Sequence, residues 1–198
     1  MKLIYKGIYK NEKQLPEGTL PDNAVKFKEP DTMAKLSVLT LIVSFVIVII
    51  FFNISDIIFI SDIILNSPRI NMIGVLLFFL SIIPHELLHA LCWGKNDEVG
   101  FYLAPKQFMA FVHSTCPISK AGFIWMSACP TIFFGVLPFI VCIFIPDKNA
   151  VKDILWTFSL VSFAGGCGDY VNIFNALTQM PSGSMQQMSG FNSYWFLQ

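Results

Sequence analysis

Charge is scarce in this sequence: Asp, Glu, Lys and Arg make up 13% of its 198 residues, against roughly a quarter in a soluble domain. So little charge cannot coat a water-facing surface, which excludes an ordinary soluble globule. Cysteines with metal-binding spacing are also missing. Cys92, Cys116, Cys129, Cys142 and Cys167 lie in or beside apolar segments with no CxxC among them. They read as small buried hydrophobes, not as a disulfide framework or a thiolate metal cage. No long apolar run precedes Leu36, although a cleavable signal peptide would place one close behind the first charges. Insertion then falls to the first hydrophobic helix. Zero net charge gives no surface for nucleic acid, and the expected surroundings are membrane lipid.

What is present points to the bilayer. Hydrophobic residues reach 55%, with twenty phenylalanines and a mean hydropathy of +0.63. That much apolar surface is tolerated where lipid replaces water as the solvent. The pattern predicts an all-α integral membrane protein with about four transmembrane helices. A basic segment over 1–35 carries seven lysines and is expected to be cytoplasmic, facing anionic lipid or a partner. The membrane domain covers 36–177, and a polar tail covers 178–198. Spans are expected near 36–52, 70–93, 121–145 and 154–177. Pro130 and Pro138 should kink the third, and Gly165, Gly166 and Gly168 should break the fourth. Residues 53–69 suit either a short hairpin or an interfacial helix, with Asp56 and Asp62 as solvated turn residues. The stretch 94–120 reads as a polar loop, and Tyr194 and Trp195 suit a membrane interface. Basic residues concentrate on one side of this topology, which puts both termini in the cytoplasm.

Within the spans, His85, Glu86, His89 and Asp169 are the only acidic, basic or imidazole side chains. Ionisable groups at membrane depth are costly and mark function. His85-Glu86-Leu87-Leu88-His89 sets two imidazoles at i and i+4 on one helical face, where they can share a cation. Glu86 then reaches a metal-bound water instead of the metal. With only three histidines and five glutamates, chance would produce this pentad on the order of once in a thousand shuffles. A catalytic zinc wants three protein ligands and one open position. The third is either His113 or a carboxylate, and Asp169 has the better claim because it lies at matching depth. Asp169 could instead cap a helix beginning near Tyr170. Asn172, one turn further on, suits either a ligand or substrate hydrogen bond or a plain helix-helix contact. His113 reads as a loop histidine that could touch substrate. Pro84, just before the pentad, could open a water path to the metal.

The run QLPEGTLPDNAVKFKEP, the HELLHAL helix, and the late GDYVNIF followed by Met-Pro resemble small bacterial membrane proteins of the zincin peptidase family. More distantly, the plan is similar to site-2-type intramembrane metalloproteases. The resemblance implies zinc, with His85 and His89 as ligands, Asp169 as the third and Glu86 as catalytic base. It departs from site-2 enzymes in setting the aspartate in GCGDY rather than leucine-Asp-Gly, and no PDZ-like domain is recognised in these residues. The expected function is a membrane-embedded zinc endopeptidase acting on membrane or membrane-proximal protein or peptide substrates. The alternative is a non-catalytic membrane zinc-binding, transport or adaptor protein. Transport would require polar residues along a path through the bilayer, and the first and third spans offer almost none.

Overall fold

A computed structural model describes residues 1–59, 70–107, 109–146 and 149–197. Helix α1 is Met33–Ile58, α2 is Met72–Ala90 and α3 is Lys120–Thr131. A π-helical turn, Ile132–Val136, connects α3 to α4, Leu137–Ile143. Then follow α5, Ala150–Gly165, and α6, Cys167–Gln179. Side-chain caps define the beginnings: Thr32, Asn71, Ser119 and Asn149 each accept an amide hydrogen bond from the first turn of α1, α2, α3 and α5. Such caps satisfy donors that a helix cannot satisfy by itself.

Among the described residues, three helical segments, 33–58, 72–90 and 120–143, are long and apolar enough to cross a membrane. Only Phe51 and Ser55 of α1 are buried, while Leu41 and Phe45 stand exposed. An apolar helix exposed on nearly all sides suits lipid rather than water. The third segment stays helical through Pro130 and Pro138, its irregularity confined to the π turn. The first helix extends past the expected end near residue 52, so residues 53–58 are helical rather than hairpin. Asp56 is an exposed residue within it; Asp62 and the rest of 60–69 lie outside the described residues.

The all-α expectation needs correction. The stretch read as a polar loop contains β3, Glu98–Ala104, β4, Met109–His113, and β5, Ile118–Ser119. The terminal regions contribute β1, Lys2–Ile8, β2, Val25–Lys26, β6, Ser184–Ser189, and β7, Asn192–Leu197. Strands β1, β3 and β4 form one sheet in that order, with β1 parallel to β3 and β3 antiparallel to β4. The second sheet is antiparallel, in the order β2-β7-β6-β5. Tyr194 and Trp195 therefore pair with Lys26 and Val25 within a sheet. Residues from before α1, between α2 and α3, and after α6 thus meet in one β layer at one end of the helices.

An apolar cluster including Phe27, Trp93, Val99, Phe123 and Met180 joins this layer to the helix ends. At the opposite end, Phe51, Phe59, Phe139, Cys142, Trp156 and Leu160 form a second cluster, where Trp156 Nε1 donates to Ser55 Oγ at 2.7 Å. Close approach of α2 to α5 depends on glycine. A Cβ on Gly74 would stand 2.5 Å from the Ile154 carbonyl oxygen, and one on Gly165 would stand 2.6 Å from the Phe78 ring.

Candidate metal centre

Helix α2 runs through Pro84 without interruption and carries His85 and His89 on the face toward α6, with Glu86 turned toward β4. The chain breaks at Gly166, so that Asp169 falls in the first turn of α6. The α6 N-cap is Gly166, with no side-chain cap bond. The capping role considered for Asp169 therefore does not apply, and its carboxylate turns toward α2 instead. His85 Nε2 lies 3.3 Å from Asp169 Oδ2, and His89 Nε2 lies 3.3 Å from Asp169 Oδ1. One donor atom from each of the three residues lies within 4.8 Å of the others.

Hydrogen-bond geometry orients this cluster. His89 Nδ1 faces the Met126 carbonyl at 2.9 Å, and a carbonyl only accepts, so His89 carries a proton on Nδ1 and turns Nε2 toward Asp169. Asp169 Oδ2 is buried without a hydrogen-bond partner among the described residues. A buried carboxylate oxygen without a donor, facing imidazole nitrogens, fits a cation held between them. Two imidazoles and one carboxylate form a zinc donor set, and the Met126 carbonyl supplies the outer contact that orients a ligating histidine.

Glu86 is buried beside this group. Its Oε2 accepts the Val112 amide of β4 at 3.0 Å. Its Oε1 lies 3.9 Å from His85 Nε2. In the β3–β4 register Val112 faces Phe101. Because β4 is an edge strand, the Val112 amide can point away from β3 and into the site.

His113 stands apart from the trio. It belongs to β4, not to a loop; it is buried, and its Nε2 contacts the Gly190 carbonyl at 2.8 Å. Burial holds its imidazole below the usual range, partly offset by that bond. Asn172 lies half-buried one turn beyond Asp169. Both residues line a cavity of about 590 Å³, together with His85, Glu86, His89 and Asp169. The sequence had not pointed to Val112 or Met126, which act through backbone atoms, or to Glu29, which lines the same cavity from the segment before α1. Only an unpaired acid in a lysine-rich stretch could have signalled Glu29. The five cysteines are free thiols, with Cys129 and Cys142 buried.

A family model described as "Putative zincin peptidase" matches residues 78–185, just over half of the chain, spanning all of the residues above except Gly190 and Glu29. No curated protein and no solved structure matches the chain.

Proposed function

The chain belongs to the zincin peptidase family, and from that premise we propose that it is a zinc-dependent, membrane-embedded endopeptidase. His85, His89 and Asp169 hold the metal and Glu86 is the catalytic base. The observation that carries this reading is the convergence of one donor atom each from His85, His89 and Asp169 within 4.8 Å of one another, beside the Glu86 carboxylate, whose Oε1 lies 3.9 Å from His85 Nε2. When bound, zinc supplies Lewis acidity, which polarises a carbonyl and brings the pKa of a coordinated water to roughly 7.

The protein's own groups do the rest. The Val112 amide fixes Glu86 Oε2 and leaves Oε1 to take up a proton and return it to the leaving nitrogen. Asn172, which lines the same cavity, hydrogen-bonds the substrate backbone in this reading. The β4 edge offers an extended peptide a place beside Glu86, so that substrates are read as unfolded, strand-like segments.

Four crossings account for the chain path. In this reading α5 and α6 together make the fourth, and an even number returns β6 and β7 to the side that holds β1 and β2. The lysine-rich flank puts that β layer, both termini and the catalytic depth on the cytoplasmic side. Substrates are membrane or membrane-proximal proteins. Transport is the weaker reading, because the apolar cluster around Phe51, Phe139 and Trp156 fills the helix ends away from the site. Comparative membrane proteomics of cells carrying wild type or Glu86→Gln tests the proposal. It expects at least one peptide end produced only by wild type; identical peptide ends in the two strains would refute it.

A further inference from the structure

The cavity that holds His85, Glu86 and Asp169 continues away from them to a polar wall made by the chain before α1 and by β6 and β7. Gln186, Met188 and Ser193 line it from the second sheet, Glu29 from the segment before α1, and His113 from the end of β4. The Ser193 amide donates to Glu29 Oε1 at 2.6 Å. His113 and Gln186 are more than nine-tenths buried, and their Nδ1 and Nε2 atoms are covered by protein rather than open to the cavity. Glu29, half-buried, is the acidic side chain of this wall.

The charge balance indicates what kind of ligand. Among the described residues that line the cavity there are three carboxylates, Glu29, Glu86 and Asp169, and no lysine or arginine. Asp169 and Glu86 belong to the metal centre. Glu29 is left as a carboxylate whose charged neighbour is Lys26, on the exposed strand β2. We propose that Glu29 forms a subsite that takes a cationic group of the peptide substrate, either a lysine or arginine side chain or the peptide's own terminal ammonium. The cation donates to the Glu29 carboxylate, which also accepts the Ser193 amide. The subsite rests on the peptidase reading of the cavity and gives that reading a specificity. Burial that raises the Glu29 carboxyl pKa is what an arriving cation would offset.

The test uses the full chain in lipid nanodiscs, zinc-loaded and carrying Glu86→Gln so that bound peptide persists. The probes are fluorescent extended peptides that differ only in lysine or acetyl-lysine at one position, each with a free or an acetylated amino terminus. Binding is expected to be about tenfold tighter for the peptide carrying the recognised cation, and that advantage should vanish when Glu29→Gln is added. The two arms identify whether the side chain or the terminus supplies the charge. Equal binding of all four peptides, or a charge advantage that survives Glu29→Gln, would overturn the subsite. If Glu29→Gln does not fold, the comparison of peptides on the Glu29-bearing protein decides alone. A parallel run with Glu86 intact separates the two claims. Charge-dependent binding without cleavage removes the peptidase and keeps the subsite, whereas cleavage without charge preference does the reverse.

Discussion

The Val112 amide donates to Glu86 Oε2 at 3.0 Å, tying an edge strand outside the helices to the carboxylate within α2. A glutamine at position 86 keeps an acceptor for that amide but cannot take up a proton at its second position. Glu86→Gln is therefore expected to fold and bind zinc as wild type does, while losing about 10²–10⁴-fold in cleavage rate. Zinc content and cleavage measured on the same preparation check this. Full zinc with undiminished cleavage would remove Glu86 from the chemistry.

Asp169 contacts both histidines, with 3.3 Å between the nearest atoms in each case. Losing it should therefore cost more zinc affinity than the roughly 10–100-fold typical of losing an outer-shell partner. Titration of apo Asp169→Ala with zinc against a competing chelator measures this. An affinity equal to that of wild type would mean that the carboxylate is not a ligand.

Glycine spacing gives a stability prediction. A methyl group at position 74 meets the Ile154 backbone oxygen at 2.5 Å, while at position 168 it meets nothing within 4 Å. Gly74→Ala should cost about 1–3 kcal/mol as overpacking, and Gly168→Ala should stay within about 0.5 kcal/mol of wild type or gain slightly. Thermal unfolding in nanodiscs distinguishes them. Equal melting temperatures for the two variants would contradict the close approach of α2 and α5.

Burial pushes the Glu29 pKa from 4.5 up to about 7, against the opposing Ser193 hydrogen bonds and the charge of Lys26. The folded state then holds a proton that the unfolded state releases, so stability is fully present below pH 4.5 and is lost as pH rises through about 7. Glu29→Gln removes that loss. Its melting temperature should gain on wild type at about pH 8 and show no such gain at about pH 4. Parallel curves for the two proteins would show that Glu29 does not titrate this way.

The helices were legible because lipid demands long apolar runs, and the paired histidines because i and i+4 share a helical face. Asp169 stood out as an ionisable side chain inside a span. The β layer was hidden for a physical reason. Strands β3 and β4, and β6 and β7, pair locally, but the pairings that assemble the sheets join distant segments, Lys2 with Glu98 and Val25 with Trp195, and such register leaves no local signal. Residues 98–104 carry an aromatic and β-branched run, EVGFYLA, and Gly190 between Ser189 and Asn192 marks a turn with positive φ. Both were available signals, outweighed by the many polar and turn-forming neighbours. Val112 and Met126 could not have been found, since their amide and carbonyl are common to every residue.

In the proposed enzyme, α2 and α6 hold one zinc ion through two imidazoles and a carboxylate. X-ray absorption at the zinc edge on purified protein, combined with metal analysis, measures this directly. One zinc per chain is predicted, with two nitrogen donors from imidazole and oxygen completing the coordination, and the imidazole signal halved in His85→Ala if any metal remains. Protein without stoichiometric zinc, or zinc whose spectrum is unchanged by His85→Ala, would contradict the account.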